Sequence, residues 1–175
     1  DADLIEHLDA IRALQDETGG FTAFVPWSYK RGNTAMDARV PRTAGAVRYL
    51  RVLAAARLYL DNFTHVQASW FGEGKKTGQV ALHFGADDFG GTLFEESVHL
   101  ATGYLNRTTQ PEVEALIREA GFTPAQRTTL YQILRVGEGP PAGGGAADVP
   151  DLVAGATEPS AEYPTELEGE ERGRS

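Results

Sequence analysis

"HVQASWFGEGKKTGQVALHFGADDFGGT" (residues 65–92) decides the fold. It opens on a strand-like run, "HVQASWF" (65–71), passes a Gly-rich turn, continues as a short helix, "KTGQVALHF" (76–84), ended by Gly85, and closes on "ADDF" (86–89), a very short strand. Upstream, "AGAVRYLRVLAAARLYL" (44–60) is a strong helix of Ala, Leu and Arg, and a polar loop (28–43) separates it from "FTAFVPW" (21–27), a strand closed by Pro26. The first segment carries Leu4, Ile5, Leu8, Ile11 and Leu14 at helical spacing and stops at Gly19-Gly20. Downstream, "TLFEESVHLAT" (92–102) predicts a helix running to Gly103. Thr109-x-x-Glu112 and Thr123-x-x-Gln126 fit the capping box, each with a Pro in the first turn, and predict two more helices. Helices alternating with strands are the grammar of an α/β protein with a parallel sheet, whose chemistry sits at the carboxyl ends of the strands. That rule singles out Trp27, Ser28, Tyr29 and Lys30, then 69–76, then 87–92.

Bulk properties narrow the function classes. The 175 residues allow one domain with a sizeable core. There is no cysteine, so the chain by itself forms no disulfide, thiolate metal site or cysteine-held iron–sulfur cluster. His7, His65, His83 and His99 lack the spacing that puts two imidazoles on one helical face, which argues against zinc. No apolar run is long enough to span a bilayer, and the acidic start does not resemble a signal peptide, so a cytoplasmic protein with no membrane partner is expected. Of the net charge of −9, −7 belongs to residues 137–175, where nine carboxylates face two Arg. That leaves a nearly neutral body (residues 1–136) with no basic face for nucleic acid. Rich in Gly, Pro, Ala and Glu, 137–175 reads as a disordered acidic tail, with an acidic interaction tail as the functional alternative.

Several motifs resolve into ordinary structure. In "FGEGKKTGQ" (71–79) Lys75, Lys76 and Thr77 precede Gly78, whereas a phosphate loop needs Lys and a hydroxyl after its last Gly. Asp88-Phe89-Gly90 matches the kinase triplet by letters only, because the Gly-rich loop and H-R-D run are missing. Thr92-x-x-Glu95 is a further capping box, and Glu96 suits a helix start. Asp87 and Asp88 remain as candidate acid–base or ligand groups, although neighbours on a strand point to opposite faces. Trp27 and Trp70 each close a strand where a ligand would stack, with core packing as the alternative.

The wording of "ETGGFTAFVPWSYKRGNT" (17–34), "RVLAAARLYLDNFTHVQASWFGEGKKTGQVALHFGADDFGGTLFEESV" (51–98) and "IREAGFTPAQRTTLYQIL" (117–134) resembles the carboxy-terminal half of the radical SAM enzymes of the futalosine route to menaquinone. The cyclic dehypoxanthinyl futalosine synthase branch is nearest; aminofutalosine synthase and the deazaflavin-forming synthase share the ARLxLDN and GAxDxxGT elements. The resemblance covers residues 1–136 and implies a partial (β/α) TIM-type barrel: its last three strands, their helices and two C-terminal helices. It also implies S-adenosylmethionine, a 4Fe-4S cluster and dehypoxanthine futalosine as small-molecule substrate. Phe24, Val25 and Pro26 match the sixth-strand end that holds the cofactor's adenine; Trp27, Ser69 and Trp70 match substrate contacts; Asp87 and Asp88 match the catalytic mouth, with Asp88 the polar partner. The family's C-x-x-x-C-x-x-C loop has no counterpart in this Cys-free sequence, and a full barrel takes about 250 residues. The chain therefore reads as a part whose partner is an N-terminal half barrel, or as a non-catalytic binding subunit or remnant.

Overall fold

In a computed structural model the protein is described over residues 1–31, 35–40, 42–92 and 107–140. The helix expected after Thr92, with Glu95 and Glu96, lies outside the described residues, as does most of the acidic tail.

Helix α1 (Ala2–Thr18) ends where Gly19 takes a left-handed conformation and its N–H caps Gln15 O. Strand β1 (Ala23–Phe24) leads through the loop to α2 (Ala46–Tyr59), which is followed by β2 (His65–Val66). Two short helices come next, α3 (Trp70–Glu73) and α4 (Lys75–Ala81), the latter running into a 3₁₀ turn (Leu82–Phe84). Gly85 closes that turn at φ 104°, where a Cβ would stand 2.7 Å from Arg57 Cγ, so both conformation and space select glycine.

β1 and β2 are parallel, with Ala23 opposite His65 and Phe24 opposite Val66. Gln67 bridges Asp88 in parallel. The ladder is continuous across all three segments: Gln67 N–H donates to Phe24 O (2.9 Å), Asp87 N–H to Val66 O (3.1 Å) and Ala68 N–H to Asp88 O (2.7 Å). The alternating α/β grammar is thus present, as small sheets compatible with a partial β/α fold.

The strands are shorter than the apolar runs suggest. Pro26 has no N–H for a ladder. Ser69 leaves the sheet to bond Tyr49 and Pro26, and Trp70 opens a helix instead of closing a strand.

One face of the ladder meets the helices. Val66, Ala68 and Ala86 pack with Tyr49 and Leu53 of α2 and Ala81 of α4, with Phe24 against them. Leu8 of α1 joins Ala56, Leu60 and Phe63 in an adjacent cluster. By strand alternation Gln67 points away from Val66 and Ala68, and the Asp88 that it bridges stands beside it in the ladder.

Of the two helices expected at the carboxyl end, the first is α5 (Gln110–Glu119), with Thr109 as N-cap and Pro at its start. Its Val113 and Leu116 cover Trp70, Phe71 and Phe89. The second is a correction. Residues 123–136 form an antiparallel hairpin, β3 (Ala125–Arg127) and β4 (Ile133–Val136), with a register shift at Gln126/Arg127. The capping-box signal at Thr123 is local, and tertiary contacts of Arg127 and Tyr131 override it.

Candidate functional site

Two constellations lie along the carboxyl halves of the parallel segments. The first is a cavity of about 280 Å³ beyond β1, whose lining includes Pro26, Trp27, Tyr29, Arg42, Arg48 and Tyr49. Trp27 is half exposed and meets Phe71 edge-on at 5.0 Å. Behind this wall Ser69 is buried and ties three elements together: its N–H donates to Tyr49 Oη (2.8 Å) and its Oγ to Pro26 O (2.6 Å). Burial is the main reason that the Tyr49 phenol is pushed above its ordinary range. Beside it Lys30 Nζ donates to Glu73 Oε1 at 2.8 Å, with the side chains only 10% and 3% exposed, joining the loop after β1 to α3.

The second constellation is a polar network built around Asp88 and Asp87. Asp88 Oδ1 accepts Gly90 N–H (2.9 Å), while Oδ2 accepts Tyr131 Oη–H (2.7 Å) and the Arg127 guanidinium. Tyr131 stands at φ 63°, a left-handed conformation rare for an aromatic residue. Its ring stacks on His65 at 3.7 Å and lies under Arg127 at 4.0 Å. Burial, and then its bond to Asp88, push the Tyr131 phenol far above the ordinary tyrosine range. Asp87 turns back toward the amino end of β2: Oδ1 accepts Val66 N–H (2.7 Å), Oδ2 meets His65 Nδ1 (2.6 Å), and Arg57 from the last turn of α2 stands 3.6 Å away.

The CofH/MqnC C-terminal region matches residues 18–139. The chain belongs to this family. Over 139 residues it is 46% identical to a cyclic dehypoxanthine futalosine synthase of Streptomyces coelicolor, covering 79% of this chain and 34% of that protein. It is 44% identical over 141 residues to a 5-amino-6-(D-ribitylamino)uracil–L-tyrosine 4-hydroxyphenyl transferase of Methanoculleus marisnigri, covering 77% and 38%. An aminodeoxyfutalosine synthase of Streptomyces coelicolor matches at 39% over 148 residues, covering 78% and 38%. The chain thus spans roughly a third of the length of the curated relatives that it matches, and the resemblance read from its wording stands.

Within this CofH/MqnC C-terminal fold, the residues singled out from sequence separate into groups. Pro26 and Trp27 line the cavity, and Ser69 backs it through Tyr49. Trp70 is fully buried, stacked on Phe89 at a centroid distance of 6.4 Å. Phe24 packs edge-on against Phe63 in the helix-facing core, and Val25 is half-buried beside it. Asp87 and Asp88 are engaged by the chain's own His65, Arg57, Arg127 and Tyr131, away from the cavity-lining residues.

Sequence reasoning missed Arg127 and Tyr131. Their signal was a capping box that predicted helix, and nothing local announces a partner 39 residues upstream. It placed Lys30 and Glu73 at strand ends without pairing them.

Proposed function

We propose that the chain is the C-terminal portion of a radical SAM enzyme that converts dehypoxanthine futalosine to its cyclic form, acting with an N-terminal region that bears the cluster. The observation that carries this reading is the 46% identity to a cyclic dehypoxanthine futalosine synthase over 79% of the chain. The parallel order of β1, β2 and the Asp88 segment supports a partial (β/α) barrel, since each outer segment has one neighbour among the described residues. Closure against further strands would pair the remaining edges.

The chain's donor set does not fit the iron–sulfur cluster. It has no cysteine, and among the described residues no group of His, Asp or Glu is placed to hold a metal. The cluster therefore belongs to the N-terminal region. What this chain contributes is binding surface. Trp27 offers an indole edge at the rim of the cavity, Pro26 and Tyr49 form its wall, and Ser69 holds that wall in place. Asp88 reaches a ligand only through Oδ1, because Oδ2 already takes two donors. Asp87 acts as a clamp on β2.

Relatives with two other activities match the same region, which favours a second reading as the corresponding part of an aminodeoxyfutalosine synthase or a 4-hydroxyphenyl transferase. Reconstitution with the cluster-bearing region of the Streptomyces coelicolor cyclase, followed by assay on the substrates of all three enzymes, separates the readings. Turnover of dehypoxanthine futalosine alone supports the cyclase; turnover of another substrate alone sinks it.

A further inference from the structure

β4 has no buried residue: Ile133, Leu134, Arg135 and Val136 are all exposed. Leu130 in the turn is 67% exposed, Leu134 63% and Val136 64%. With Ile133, four large aliphatic side chains thus stand in water within seven residues. A two-stranded hairpin is at best marginally stable unless a face is covered. β3 is pinned through Arg127 to Asp88, and the turn through Tyr131 to Asp88 and His65. Arg135 reaches Glu114 on α5, so by alternation Leu134 and Val136 point away from that helix. β4 pairs only with β3 among the described residues, and its outer edge has neither Pro nor Lys, devices that commonly protect a free strand. A fixed hairpin with a bare apolar face and an unpaired edge has the form of half an interface.

We propose that this hairpin face is the docking surface for the N-terminal region of a CofH/MqnC-type enzyme. The proposal rests on the reading that the chain works with such a region. The length of the relatives supports this occupant: about two thirds of each lies beyond what this chain matches, and the matched family is the C-terminal region. The near-neutral charge of residues 1–136 fits an apolar contact better than an electrostatic one.

The test is association of the full chain with the purified N-terminal region of the Streptomyces coelicolor cyclase, measured by sedimentation velocity for the natural sequence and for Leu134→Lys/Val136→Lys. Both positions are exposed, so the double variant keeps the melting temperature of the parent. The expected result is a 1:1 complex with the parent and at least ten-fold weaker association with the variant. Equal association of both chains overturns the docking surface while leaving the shared-enzyme reading intact. No association with either chain overturns both. A homodimer of the parent that the variant dissolves assigns the face to a second copy and also overturns the proposal.

Discussion

Tyr131 concentrates the testable chemistry of the network. Its phenol is raised above the ordinary value of 10.0, first by burial and then by the bond to Asp88. A proton held more tightly in the folded state stabilises the fold fully below pH 10, and this contribution is lost as the pH rises above that value. Urea midpoints should therefore fall on the alkaline side, and Tyr131→Phe should flatten that fall; an unchanged slope contradicts the assignment. Asp88→Asn removes the second cause but not the first, so ultraviolet titration should find the Tyr131 phenol lowered toward the ordinary range without reaching it. Arg127→Met leaves the largely buried Asp88 carboxylate without its cation and should cost about 2–4 kcal/mol, with amide exchange quickening first in 125–136. The adjacent carboxylates were legible as special, since so much charge in one short strand demands partners. Their partners were not, because ion pairs across 39 residues leave no periodicity to read.

At the scale of elements, helices were the most legible. α1, α2, α4 and α5 fall where apolar spacing and caps predicted them. The strands were legible in place and order but not in length, because Pro26 and Ser69 end the pairing through backbone chemistry that side-chain pattern does not encode. The second C-terminal helix was misread: a capping box is worth about 1 kcal/mol, less than the Arg127–Asp88 pair that holds the hairpin instead. The loop after β1 and α3 are joined by Lys30–Glu73. Lys30→Met leaves a buried carboxylate uncompensated and should destabilise by about 3–5 kcal/mol. Adding Glu73→Leu should recover much of that loss, and a double-mutant cycle with no coupling rules the pair out as a structural link. Gly78 lets α4 approach α3, since a Cβ there would come within 2.7 Å of Trp70 Cβ. Gly78→Ala should cost about 1–3 kcal/mol despite its better helix propensity, read from thermal melting.

For the molecule as a whole, the sequence carried the family and the α/β alternation, while the division of labour needed coordinates. The cavity behind Trp27 and the network around Asp88 are separate constellations along the short parallel ladder. Neither supplies a cluster ligand. The central claim is that this chain provides binding surface to an enzyme whose radical source lies in another region. The most direct test measures 5′-deoxyadenosine formation and substrate cyclisation after anaerobic reconstitution of the cluster-bearing N-terminal region of the Streptomyces coelicolor cyclase, with and without this chain. The account predicts cyclised dehypoxanthine futalosine only when both are present, and its loss with Trp27→Ala while the chain stays folded. Equal turnover without this chain, or none with it despite a stable complex, would contradict the account.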